Sequence, residues 1–216
     1  MKTTIYTPYG GEDGEKDNLL QLSVAEMAGI LKRGGVAIFP TETVYGIGAN
    51  ALDETACLKI FTAKNRPPEK GLLCHVASLH QAEEIAYLTE KERILIGKFT
   101  PGPLTVIAKK KPVIGMVVSG GGGTVGLRFP SNKEAVGLIT AAGFPVAASS
   151  ANISGETIPT DPEGIKKDFL GKVDAILDCG NTGSGTPSTI VSLLGGEIKV
   201  IREGGISLSQ IKKALE

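Results

Sequence analysis

Helix-start patterns and short apolar runs take turns along almost the whole chain, and this alternation restricts the fold more than any other feature. It is the pattern of a layered α/β domain. Ser23-Val24-Ala25-Glu26 reads as a capping box, followed by Met27, Ile30 and Leu31 at helical spacing and a stop at Gly34-Gly35. The run VAIFP then reads as a buried strand. Asp53 caps a second predicted helix carrying Cys57, Leu58, Ile60 and Phe61, which Pro67 ends. After the strand GLLCHVA, Thr89 and Glu92 form another capping box for a helix to about Lys98, and Pro101-Gly102-Pro103 breaks the chain before the strand LTVIAKK. TVGLRF, NKEAVGLITAAG and PVAASS predict strand, helix and strand, and SGGGG, residues 119–123, a flexible loop. Asp161-Pro162 supplies an N-cap and first-turn proline, and DAILD a further strand. STIVSLL and EIKVIRE, joined through Gly195-Gly196, ask for an antiparallel hairpin, so the predicted sheet is mixed, parallel and antiparallel. Ser207 with Gln210 caps a last helix. No linker divides residues 1–216, which are expected to form one domain.

The 23 Lys and Arg balance the 23 Asp and Glu, so net charge exerts no long-range pull on nucleic acid or an anionic membrane. Any basic site must be local. The three cysteines, Cys57, Cys74 and Cys179, lack the spacing of a zinc site or redox pair and are expected to be buried apolar groups. No signal-peptide core and no apolar run near the roughly 20 residues of a membrane span occur, so the expected location is cytoplasmic, with no membrane partner.

Gly46-Ile47-Gly48-Ala49-Asn50-Ala51 matches a relaxed dinucleotide fingerprint, but Pro40 to Thr43 separate it from the preceding strand and the next helix opens only near Asp53. The context fails. Neither a P-loop nor a nucleophile elbow occurs, and the two histidines lie in no metal-binding spacing. PTETVYG, residues 40–46, puts the hydroxyls of Thr41, Thr43 and Tyr45 at a strand end, where α/β sheets hold ligands. AASSANISG, residues 147–155, repeats this with Ser149, Ser150 and Asn152. Taken alone, Lys64 and Arg66 read as solvated cations complementing a helix dipole. Yet Arg66-Pro67-Pro68 fixes the backbone and Lys70 returns a third cation, a set suited to polyphosphate. His75, a lone strand histidine, reads as structural.

In order and spacing, PTETVYGIG, the Lys64-x-Arg66 of KNRPPEK, TVGLRFPSN, the Ser150-x-Asn152 of SSANISG and PSTIV resemble the YrdC family of threonylcarbamoyl-AMP synthases, from about Leu22 to Glu203. The resemblance implies a twisted α/β sheet around a concave basic cavity. The implied activity is nucleotidyl transfer: ATP, L-threonine and bicarbonate give threonylcarbamoyl-AMP and pyrophosphate. A tRNA threonylcarbamoyl transferase complex would then use the product to modify adenosine 37 of tRNA. It implies Lys64, Arg66, Lys70, Thr124, Ser150, Asn152 and Arg202 around ATP, with Lys64 and Arg66 catalytic and Mg²⁺ carried by the nucleotide. Around threonine it implies Thr43, His75, Arg128 and Ser188, with the backbone near Ala148. It also implies the short form of the family, without the extra C-terminal domain.

Three alternatives compete. An RNA- or tRNA-binding module would need clustered cations and stacking rings, against which stand zero net charge and 5% aromatic residues; the Lys109-Lys110-Lys111 run reads as a solvated strand end. A non-synthase paralogue would have altered K-x-R and S-x-N motifs, which are intact here. A carbamoyl-transfer domain would come with accessory segments that this sequence lacks.

Overall fold

The computed structural model describes residues 2–9, 16–181 and 183–216. In chain order, β1 (Thr4–Tyr6), α1 (Lys16–Lys32), β2 (Ala37–Phe39), β3 (Gly46–Asn50) and α2 (Glu54–Lys64) come first. A 3-10 turn (Pro68–Lys70), β4 (Leu73–His75), α3 (Leu79–Ile85), β5 (Ala86–Tyr87), α4 (Glu90–Phe99) and β6 (Leu104–Lys110) follow. Next are α5 (Met116–Ser119), β7 (Thr124–Arg128), α6 (Lys133–Ala142), β8 (Val146–Ser150) and α7 (Pro162–Phe169). The chain closes with β9 (Ala175–Leu177), β10 (Thr189–Ser192), β11 (Lys199–Arg202) and α8 (Leu208–Ala214).

The predicted caps work as the chemistry requires. Asp53 accepts from the amide of Ala56, Asp161 from that of Gly164, and Thr89 and Ser207 both complete reciprocal boxes. The first capping box is a correction: α1 opens at Lys16, and Ser23 sits inside it, its hydroxyl donating 2.7 Å to the Leu19 carbonyl. A serine can back-bond within a helix, so the S-x-x-E spacing alone does not mark a start. The sequence alone does not predict β1, β3, α3, β5 and α5, all seven residues or fewer; the expected loop at residues 119–123 overlaps α5 only at Ser119.

The strands form one sheet in the order β1-β9-β2-β3-β8-β4-β7-β6-β10-β11, with β5 on β6. Four pairs are parallel (β1 with β9, β2 with β9, β4 with β7, β6 with β10), the other pairs are antiparallel, and β10 with β11 is the expected hairpin. The mixed sheet flanked by helices is therefore as the sequence predicts. Alternation along β2 sends Ile38 to one apolar cluster, with Ile60, Leu95 and Phe169, and Ala37 and Phe39 to the other, with Met27, Leu31, Leu138 and Ile139 of α1 and α6.

The fingerprint-like glycines lie within β3, so no dinucleotide turn exists there. A Cβ on Gly48 would stand 2.7 Å from Val146 Cγ1 and 2.9 Å from the Phe39 ring, so close packing demands the glycine. Cys57 and Cys74 are buried as expected, while Cys179 is only half-buried, and all three are free. Among the described residues no helix is long and apolar enough to cross a membrane.

Candidate functional site

On the sheet face that carries Phe39, small residues interleave with Leu73 and Ile107. Residues paired directly across neighbouring strands share a face. Gly48 pairs with Ala148, Ala148 with Leu73, Leu73 with Gly126, and Gly126 with Ile107. From Ala148 to Ile107 this row lines a cavity of about 360 Å³. A Cβ on Gly126 would come within 2.6 Å of Leu73, so the floor has no room for a larger residue.

One side of the cavity is cationic. Asn65, in a left-handed conformation, ends α2, and the chain turns back through Arg66 and the 3-10 turn to Lys70. Arg66 Nη2 donates to the carbonyls of Lys70 (3.1 Å) and Gly71 (3.0 Å), which straps the guanidinium across its own loop. Burial lowers its pKa, and its enclosed Nε has no partner. The glycine run abuts this loop: Gly120, left-handed, would carry a Cβ 2.6 Å from the Glu69 carbonyl. Thr124 and Ser150 reach the same space from the ends of β7 and β8.

The other side is built around buried polar groups. Thr41 closes the β2–β3 turn, accepting from the amides of Thr43 and Val44 and donating to the Val44 carbonyl. Its proton is thereby spent, so Thr43 Oγ1, 2.9 Å away, is the donor between the two hydroxyls. Thr43 then has only lone pairs to offer, one of them facing Arg128 Nη2 at 3.3 Å. Strand register brings His75 beside Arg128, and Arg128 beside Thr105. Arg128 Nη2 also donates to Glu42 Oε1 at 2.6 Å. Arg202 clamps Ser188, Nε to its carbonyl (2.9 Å) and Nη2 to its hydroxyl (3.0 Å), and that hydroxyl shares a proton with buried Thr105 at 2.8 Å. Burial, reinforced by Arg128, lowers the Arg202 pKa.

His75 packs edge-on against Phe39, with ring centroids 6.0 Å apart and its Nδ1 enclosed without a partner. Burial, with the Arg128 charge beside it, holds its pKa at about 3. The imidazole is therefore neutral at physiological pH, and its ring resonances are expected to stay fixed in an NMR titration from pH 8 to 5. The unfolded chain takes up this proton near 6.5 and the folded one only near 3, so stability falls as pH drops through that window.

Ten of the twelve residues singled out from the sequence therefore border one cavity: Arg66, Lys70, Thr124, Ser150 and Arg202, and Thr43, His75, Arg128, Ala148 and Ser188. Lys64 and Asn152 lie behind the wall. Lys64 is 1% exposed, not a solvated helix-end cation. Its Nζ donates to the carbonyls of Ser150 and Asn152 and, at 3.2 Å, to Asn152 Oδ1. Three acceptors suit the three protons of an ammonium, while burial, with Arg66 nearby, pulls its pKa to about 7. Asn152 spends its amide on the carbonyls of Ile153 and Glu156 and accepts from Ser150 Oγ. Sequence reasoning missed two polar groups, Glu42 and Thr105. Glu42 sat between the threonines that drew attention, and Thr105 was read as part of an apolar strand.

The sequence profile of the Sua5/YciO/YrdC family, described as telomere recombination, matches residues 29–204. The chain belongs to this family. A threonylcarbamoyl-AMP synthase of Pyrococcus abyssi is 40% identical over 93% of this chain and 59% of its own length. A Methanocaldococcus jannaschii relative is 35% identical over 99% of both chains. The structure of P. abyssi Sua5 complexed with L-threonine superposes with a TM-score of 0.90 at 38% identity, covering all of this chain and 61% of that one. The chain thus spans somewhat more than half the length of the P. abyssi synthase it matches.

Proposed function

We propose that the cavity makes threonylcarbamoyl-AMP from ATP, L-threonine and bicarbonate. The observation that carries this reading is the division of one cavity into a cationic side, at Arg66 and Lys70, and a compact buried polar side, at Arg128, Thr43 and Ser188. A triphosphate suits the first, since an exposed lysine and a strapped arginine match its charge. A small amino acid suits the second, Arg128 taking its carboxylate, Thr43 accepting from its ammonium or hydroxyl, and Ser188 meeting its hydroxyl. The neutral His75 and small Ala148 bound that pocket without adding charge.

In the proposed reaction bicarbonate takes up a proton and loses water to give carbon dioxide; the deprotonated amine of threonine attacks its carbon, the N–C bond forming as one C=O π bond opens, and the nitrogen releases a proton to solvent to leave a carbamate. A carbamate oxygen then attacks the α-phosphorus, the bond to the β-phosphate bridge breaks, and pyrophosphate leaves with the electron pair. Arg66, Lys70 and Arg202 would offset the charge that grows on the leaving group, with Thr124 and Ser150 as hydroxyl donors. Lys64 and Asn152 would act from behind, by fixing the 150–156 segment. Mg²⁺ would arrive bound to the phosphates; no carboxylate borders the cavity among the described residues. The product would pass to the tRNA threonylcarbamoyl transferase complex.

The test is pyrophosphate release with mass detection of the adenylate, in ATP, Mg²⁺ and bicarbonate with threonine, serine, valine or no amino acid. Release that requires threonine and bicarbonate together is the expected result. Folded protein that releases none under any condition refutes the reading, and tRNA binding would then be measured.

A further inference from the structure

Arg128 is 3% exposed, and a buried ion pair costs desolvation that an apolar pair would avoid. Its partner, Glu42, stands in the turn between two cavity residues, Thr41 and Thr43. Two atoms of this pair, Glu42 Oε2 and Arg128 Nε, are enclosed and lack a partner. One is an acceptor and the other a donor, and they belong to side chains already joined by the Nη2–Oε1 bond. Nε and Nη2 form one edge of a guanidinium, the edge that can pair with both oxygens of one carboxylate in a two-bond fork. A fork made there leaves Nη1 for a ligand.

The backbone beneath Glu42 is held firmly enough to make such an anchor. Ser184 donates to the Glu42 carbonyl (3.2 Å) and Gly185 to that of Thr43 (3.0 Å). Gly183 approaches so closely that a Cβ on it would lie 1.9 Å from the Glu42 carbonyl oxygen. Glu42 also supplies the negative charge in a spot where Arg128 disfavours the protonated forms of both Arg202 and His75.

We propose that Glu42 is a positioning residue: it grips the Arg128 guanidinium by one edge and turns the remainder toward the carboxylate of the amino-acid substrate. The proposal rests on the reading of Arg128 given above. Glu42 itself touches no substrate atom; it acts through Arg128.

The experiment compares the unaltered protein with Glu42→Ala and Glu42→Gln by calorimetric titration of L-threonine and, separately, of ATP, together with steady-state turnover. Losing a hydrogen bond to a charged group is worth about 10- to 100-fold in affinity. Glu42→Ala should weaken threonine binding by that factor and raise its KM, with kcat and ATP affinity little changed. Glu42→Gln, which keeps one acceptor for Nη2, should recover most of the loss. In NMR without any amino acid, the Arg128 Nε–H should exchange slowly in the unaltered protein and fast in Glu42→Ala. Equal weakening of threonine and ATP, no rescue by glutamine, or unchanged threonine affinity would each overturn the proposal. Slow Nε–H exchange lost in Glu42→Ala, in a protein that binds no threonine, would place the error in the amino-acid reading and keep the Glu42–Arg128 grip.

Discussion

Arg128→Ala is expected to lower threonine-dependent pyrophosphate release by about 100-fold or more, the largest effect of any single change on the amino-acid side. The substitution removes the one arginine that lies beside His75 and Thr105 in the sheet register, and with it both hydrogen bonds that Nη2 makes to Glu42 and Thr43. Glu42 would be left without its cation, which also costs stability. Arg128→Lys separates the two consequences. Lysine keeps the charge near Glu42 but cannot bond a carboxylate with a planar fork, so the variant should fold while its KM for threonine rises about 10- to 100-fold. Thermal unfolding of both variants beside their kinetics makes the check. Near-normal threonine KM in a folded Arg128→Lys or Arg128→Ala protein would remove Arg128 from the binding site.

Lys64→Ala is expected to damage folding as well as turnover. The sequence alone suggests the reverse, an exposed catalytic cation whose loss the fold would tolerate. In the structure its removal strands the carbonyls of Ser150 and Asn152 and opens a cavity where the buried side chain lay. Each of the two stranded acceptors costs about 1–3 kcal/mol, so a total of about 2–6 kcal/mol is expected in urea unfolding. Arg66→Ala, whose side chain bonds only carbonyls of its own loop, should lose turnover with far less loss of stability. Lys64 also carries a pH signature. Its folded pKa, about 7, lies below its unfolded value of 10.5, so the unfolded chain binds the proton more tightly between these values and stability rises with pH across that window. The slope from one such proton is at most about 1.4 kcal/mol per pH unit, and it should vanish in Lys64→Met. An identical pH slope in the two proteins would contradict the buried position of the charge.

Much of this architecture was legible from local rules. Four of the predicted helix starts, at Asp53, Thr89, Asp161 and Ser207, depend on one side chain bonding an amide three residues on, an interaction that needs no distant partner. The hairpin of β10 and β11 was equally local. The short elements β1, β3 and β5 were not, because two to five residues carry too little periodicity and owe their form to neighbours far along the chain, as β3 does to β8. Ten of the twelve residues that the family resemblance implied border one cavity, to which β4, β7 and β8 all contribute, while Lys64 and Asn152 lie behind its wall.

By itself, then, the sequence determined the layered mixed α/β fold, the capped helices and the set of polar and cationic residues that border the cavity. Tertiary structure alone decided what each of those residues can do. Lys64 and Arg66 lie two positions apart in the chain, yet one points into a cage of carbonyls behind the wall and the other crosses the cationic loop at its front. Glu42 and Arg128, 86 residues apart, meet only because β2, β3, β8, β4 and β7 stack in that order. Burial, pairing and pKa depend on what packs around a side chain, and long-range strand order, not local pattern, sets those surroundings.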